Sequence, residues 1–354
     1  MMLFLGVDAG GTASRAVVAT PGGAVVGRGS AGPGNPTATG RQAARSIGTA
    51  IRAALGDRDP RSVRAAVIGV AGVGMLADPA VSAAFDAEWA AIGLACPMTV
   101  VGDAVAAFAA ATPAASGAVL IAGTGAVAAR IDNWRITRTA DGLGWLLGDE
   151  GSGLWLGLGA VRATARAWAS TAARQGPDHQ PARDKPETAQ ATARTSASTD
   201  RDSAPKIIQD GLAARVAAHA GVGSRDGLVQ WAGRQPPGAF AALAPLVCAA
   251  ALTGDPIAER LVADAATRLV ATLDELGAPD GPVVLAGGLL TADTPVRAGV
   301  LAALTRRGTV VRTAHDPATG AAWLALRRAA DLDGLTADHL HTRMLRQPPD
   351  KTTP

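Results

Sequence analysis

Two aspartates each close a run of apolar residues. Asp8 ends Leu3-Phe4-Leu5-Gly6-Val7 and leads into Gly10-Gly11-Thr12-Ala13-Ser14-Arg15, and Asp103 follows Met98-Thr99-Val100-Val101-Gly102. A buried strand would deliver the Asp8 carboxylate to its end. The glycines after it let backbone N–H groups approach an anion closely, and Thr12 and Ser14 add hydroxyl donors. A carboxylate beside a phosphate cradle repels the phosphates unless a cation lies between them, and Mg²⁺ is commonly held through one or two carboxylates and waters. Taken singly, the first stretch also fits a plain glycine-rich hairpin, and Asp103 an ordinary helix cap.

A second strand-and-turn, Leu120-Ile121-Ala122-Gly123-Thr124-Gly125, has the same form. One such turn is weak evidence; two in matching places suggest a pair of phosphate loops closing on one nucleotide. The lysine-bearing phosphate loop is excluded, because the three lysines (Lys185, Lys206, Lys351) follow no G-x-x-x-x-G. Further on, Asp141-Gly-Leu-Gly144-Trp145-Leu-Leu-Gly-Asp149-Glu150-Gly-Ser-Gly153 combines acids, glycines and a ring, which suits a loop that hydrogen-bonds sugar hydroxyls. It equally suits a glycine-rich connection capping a helix that begins near Leu154. Val284-Leu-Ala-Gly287-Gly288 offers a strand end where backbone alone would meet a flat ligand such as adenine.

The elements that must position these residues are ten short strands among helices. Strands are expected over 3–7, 15–19, 24–27, 65–70, 98–101, 118–122, 127–131, 134–139, 283–286 and 309–312. Ala43, Ile47, Ile51 and Leu55 recur at helical spacing behind Thr39 as the cap, and helices are expected over 80–92, through most of 206–278, and over 318–329. Strands separated by helices indicate a mainly parallel sheet. The order strand, small-residue turn, strand, strand occurs at 3–27 and again at 118–139, so a duplicated unit and two related lobes are expected. Residues 173–205 lack large apolar groups and read as a surface insertion, with a lid over the site as the alternative.

The five motifs in this order, Asp8-Ala-Gly-Gly-Thr, Gly102-Asp103-Ala, Ala122-Gly-Thr-Gly, Leu146-Leu-Gly-Asp-Glu-Gly-Ser-Gly153 and Leu285-Ala-Gly-Gly288, resemble the BadF/BadG/BcrA/BcrD-type ATPases. Within that family they are most similar to the N-acetylglucosamine and glucosamine kinase branch, over residues 3 to 329 apart from the insertion. The resemblance implies an α/β fold of two actin-like (ribonuclease H-like) lobes, each a mixed sheet flanked by helices, around a central cleft. Residues 1–113 would form the small lobe, 114–330 the large one, and 331–354 a polar tail. It implies ATP and Mg²⁺ as cofactors, with Asp8 and Asp103 at the metal. Gly10, Gly11, Thr12, Gly123, Thr124 and Gly125 would meet the phosphates, and Gly287 and Gly288 the adenosine. Asp103 would be the catalytic base, while Asn35, Asp103, Asp141, Gly144, Trp145, Asp149 and Glu150 would surround an amino sugar.

Three positions depart from the family's pattern. Ala9 replaces a third glycine, and Ala13 replaces a polar residue, so that a phosphate contact is either missing or supplied by Arg15. The stretch Asp141-Gly-Leu-Gly-Trp145 shifts the Trp and adds an acid. The extra acid favours a free amine, hence phosphorylation of glucosamine at its 6-hydroxyl, with N-acetylglucosamine as the alternative substrate. From another class, an ATPase activator of a radical dehydratase would need a cysteine-held cluster between subunits, and Cys96 and Cys248 stand in no such context.

Composition bounds the remainder. Nearly half of the 354 residues are apolar (48%), enough for sizeable cores, and a net charge of +3 offers no nucleic-acid surface. Two distant cysteines fit a reducing, cytoplasmic setting. No signal peptide, membrane span or DNA-binding module ahead of the first strand is expected, and a homodimer is the assembly left open. Gly72-Val-Gly74 lacks the rest of a dinucleotide fingerprint. His339-x-His341, in a polar stretch without partner ligands, does not read as a metal site.

Overall fold

A computed structural model describes residues 1–174, 211–330 and 334–346. The chain divides into two compact units, Met1–Gly153 with Asp264–Pro354, and Leu154–Ala263.

The first unit holds the ten strands found among the described residues: β1 (Leu3–Ala9), β2 (Ser14–Ala19), β3 (Val25–Ala31), β4 (Val63–Val70), β5 (Met98–Gly102), β6 (Gly117–Ala122), β7 (Ala126–Asp132), β8 (Arg135–Asp141), β9 (Val283–Ala286) and β10 (Val311–Thr313). They form two five-stranded sheets, ordered β3-β2-β1-β4-β5 and β8-β7-β6-β9-β10. Each sheet joins an antiparallel meander to two parallel strands. The sheets are thus mixed, as the family resemblance implies, where the strand–helix alternation alone suggests a mainly parallel one. The glycine turns after β1 and β6 are two-way hairpins, and only β4, β5, β9 and β10 are reached by helical crossovers. The matched order bears out the duplication.

Helix Gln42–Leu55 buries Ala43, Ile47, Ile51 and Leu55 against the first sheet. Thr39 does not cap it. A short helix, Pro36–Thr39, intervenes, and Asn35 is the cap, accepting from Thr37 N at 2.8 Å.

Between the sheets cross two helices rich in small residues, Asp103–Ala109 and Pro317–Ala330. Each follows the last strand of its sheet, as the duplication requires. A Cβ on Gly320 would stand 2.5 Å from Ala106 O and Ala110 N, and one on Gly6 would stand 2.0 Å from Ala322 N. Backbones approach this closely only where side chains are missing. Where composition suggests a polar tail, Gly334–Leu345 is a helix that buries Ala337, Leu340, His341 and Met344. The expected insertion at 173–205 lies outside the described residues except for 173 and 174, which end helix Gly153–Arg174.

The described residues of the second unit are helical. Leu212, Val216, Leu228, Phe240, Leu243 and Val247 form its core, and Trp231 packs edge-on against His219 and Phe240. Asp255 ties two of its helices together, accepting from Leu212 N and from Ile257 N and Ala258 N. Among the described residues no single helix is long and apolar enough to cross a membrane.

Candidate active site

β1 carries Asp8 to its carboxyl end, in register with Arg15 on β2 and Gly69 on β4. Three chain crossings meet there. Gly10 N donates to Ala13 O and closes the hairpin, Gly34 N donates to Gly10 O, and Ala71 N donates to Ala9 O, each at 3.0 Å. The second of these holds Asn35 beside the first turn. Gly72, with φ +74°, keeps room for it: a Cβ there would lie 2.8 Å from Asn35 Oδ1. A Cβ on Gly11 would meet nothing within 4 Å, so this turn stands open, with Thr12 exposed.

Asp103 begins its helix at the end of β5, its Oδ1 accepting from Ala104 N at 2.9 Å. A residue not singled out from the sequence brings it to Asp8. A Cβ on Gly69 would stand 2.6 Å from Ala106 Cβ, so only glycine lets the Asp103 helix settle on β4 at this point. The available signal was a glycine inside an apolar strand, which marks close approach.

Burial, the charge of Asp103 and the charge of Asp316 push the Asp8 carboxyl up to about 7, while Arg15 opposes them from 3.9 Å. Burial likewise raises Asp103, against the lowering effect of its backbone hydrogen bonds. Two mostly buried acids, with the charge of Asp103 raising Asp8, beside an open glycine turn, form an environment that a divalent cation would relieve. Among the described residues no three acid, His or Cys groups lie together as ligands. A cation here would take two carboxylates and complete its shell with water and phosphate oxygens, as Mg²⁺ commonly does.

The second cluster gathers on β6. Gly123 N donates to Gly125 O at 2.9 Å, and Gly153 N donates to Gly123 O at 2.8 Å. Gly287, at φ +81°, passes so close to β6 that a Cβ would lie 2.4 Å from Ala122 O. Gly287 and Gly288 thus border the Gly123–Gly125 turn. Asp149 Oδ1 accepts from Ala126 N at 3.0 Å, and Gly125 leaves the space its carboxylate occupies. Burial and neighbouring Asp141 raise Asp149, opposed by the Ala126 amide.

The loop between them is organised by Asp141. Its oxygens accept from Asp149 N at 2.7 Å, Glu150 N at 2.8 Å and Leu143 N at 3.5 Å. Asp141 and Asp149 both sit at positive φ, +59° and +58°, a backbone state that aspartate tolerates better than most residues. Glu150 pairs with Arg268, a partner the sequence did not reveal. The loop's crest, Leu143, Trp145, Leu146 and Leu147, is exposed, and Gly144 is open on its Cβ side. Ile136 on β8 packs beside Asp103, its Cδ1 lying 2.8 Å from where a Gly102 Cβ would stand.

The profile of the BadF/BadG/BcrA/BcrD ATPase family matches residues 5–325. No curated protein matches the chain. Among solved structures, a candidate N-acetylglucosamine kinase from Chromobacterium violaceum is 24% identical with a TM-score of 0.68, covering 92% of this chain and 99% of its own. A second candidate N-acetylglucosamine kinase, from Porphyromonas gingivalis, is 20% identical with a TM-score of 0.63, covering 94% and 100%. A ROK family glucokinase from Streptomyces griseus, solved with glucose and AMPPNP, is 21% identical with a TM-score of 0.52, covering 91% and 99%. These likenesses establish the fold.

Proposed function

Since the chain belongs to the BadF/BadG/BcrA/BcrD ATPase family and has the actin-like fold of its sugar-kinase neighbours, we propose that it is an ATP-dependent amino-sugar kinase acting on the 6-hydroxyl of glucosamine. The two sheets would serve as the two lobes of a cytoplasmic enzyme. The observation that carries this reading is the pairing of Asp8 and Asp103, two raised carboxylates at the ends of β1 and β5 on either side of β4, beside an open glycine turn.

Phosphoryl transfer needs positioning, charge neutralisation and an acceptor for the hydroxyl proton. Asp103, disfavoured as an anion by burial, suits the acceptor. Asp8 would hold Mg²⁺ together with Asp103, and the metal would neutralise the phosphate oxygens. Gly10, Gly11 and Thr12, with Arg15 beside them, and Gly123–Gly125 would cradle the phosphates through backbone N–H groups. Gly287 and Gly288 would lie against the adenosine. Asn35, Gly144, Trp145, Asp149 and Glu150 would line the sugar, with Glu150, released from Arg268, as the partner for its ammonium.

One observation favours a second substrate. Asp141 already accepts from three backbone amides, so the extra acid organises its own loop, and the crest it supports is apolar. Such a surface suits the methyl of N-acetylglucosamine.

A coupled ATPase assay across glucose, glucosamine, N-acetylglucosamine and mannosamine chooses between them. Asp103→Asn is expected to keep the fold and nucleotide binding while lowering turnover by roughly 10²–10⁴, the range for acid–base catalysis. Turnover within a few-fold of the parent would return Asp103 to helix capping.

A further inference from the structure

The helix that begins with Asp103 is seven residues long, so its far end, at Ala109, lies only about 10 Å away at 1.5 Å per residue. The last carbonyls of any helix lack partners within it. Here one of them is taken by a side chain from the other end of the chain: His341 Nε2 lies 2.8 Å from Ala109 O. A carbonyl only accepts, so Nε2 carries the proton and donates it.

His341 is 5% exposed and stands edge-on to Trp323, ring centroids 5.0 Å apart. Trp323 packs in the same manner on Trp134, and Trp134 on Phe108 of the Asp103 helix. Trp323 Nε1 donates to Ala337 O at 3.0 Å, anchoring the first turn of His341's own helix. The Asp103 helix is therefore gripped at its carboxyl end by a side chain that is itself fixed by packing and a hydrogen bond. A rod of two turns held at one end transmits any tilt directly to the other.

We propose that His341 is a positioning residue for Asp103, its hydrogen bond to Ala109 O setting the tilt of the short helix and so the placement of the Asp103 carboxylate beside Asp8. This rests on the kinase reading for the role of Asp103, but the clamp itself does not. A misplacement of about 1 Å in a reacting constellation can lower turnover by roughly 10²-fold. Stability alone would show otherwise, in melting temperature and not in turnover.

The test compares His341→Leu, which removes the donor, with His341→Gln, which keeps one, and with Leu340→Ala, which weakens the same helix without touching Ala109. In the full chain, kcat, both KM values, melting temperature and amide hydrogen exchange over residues 103–112 are measured. For the leucine variant the expected result is a fall in kcat of about tenfold or more, KM values within about twofold, and faster exchange selectively over 103–112. The glutamine variant should recover most of the lost kcat, and Leu340→Ala should lower the melting temperature with kcat unchanged at 25 °C. Equal kcat in the leucine and Leu340→Ala variants, or unaltered exchange over 103–112, overturns the proposal. If the leucine variant does not fold, the glutamine variant decides: near-parental kcat supports the clamp, and a tenfold loss with unaltered exchange overturns it. If the parent phosphorylates no hexosamine, the kinase reading fails by itself. The exchange data then still decide the clamp, by selective loss of protection in the leucine variant or by its absence.

Discussion

Asp8 illustrates what a buried acid costs when it stands beside another. An aspartate raised from its ordinary value to about 7 keeps its proton in the folded chain at pH values where the unfolded chain has released it. Between about pH 4 and pH 7 the folded state thus binds more protons. Stability falls as pH rises through that window and stays reduced above it. In metal-free buffer, Asp8→Asn is expected to melt several degrees above the parent at pH 8, at roughly 2–4 °C per kcal/mol for a domain of this size, and level with it near pH 4. Thermal scans at the two values check this. An equal difference at both would mean that the Asp8 charge is already compensated, by Arg15 or otherwise.

At the scale of elements, the site depends on how closely a helix can lie on a strand. Gly69 has no side chain, and the Asp103 helix occupies the space a Cβ would need. Both atoms involved, the new Cβ and Ala106 Cβ, belong to rigid elements, so the helix must move as a body. Gly69→Ala is expected to destabilise by about 1–3 kcal/mol, the usual penalty for overpacking. It should also lower kcat more than tenfold, because the shift is delivered to Asp103. Turnover and melting temperature measured together check this. Loss of stability with turnover intact would show that the helix slides without turning its first residue.

For the molecule as a whole, the duplicated sheets are joined by the last helix of each half, and the C-terminal helix buries its apolar face on that pair. Leu340 and Met344 are 9% and 0% exposed. Burying side chains of this size contributes about 1.5–3 kcal/mol each. Ending the chain at residue 333 should therefore lower the melting temperature by roughly 10 °C or more, at about 2–4 °C per kcal/mol. A truncated protein that melts with the parent would show that this helix adds nothing to the core it covers.

Short-range pattern determined much of this protein. Short strand-forming runs between turns located the ten strands of the described residues, because a strand and a tight turn each need particular residues within a few positions. The repeated order of those signals disclosed the duplication, and the motifs at strand ends disclosed the glycine turns and both central aspartates. Tertiary structure decided which polar groups are already engaged. Asp141 reads as one more acid available to a substrate until three backbone amides converge on it. Glu150 reads the same way until Arg268, 118 residues on, reaches it. Residues 334–345 read as a polar tail because their few apolar groups are diluted by charge, yet His341 finds a carbonyl 232 residues away. Hydrogen-bond saturation and close backbone approach depend on residues far apart in the chain, and no local period records them.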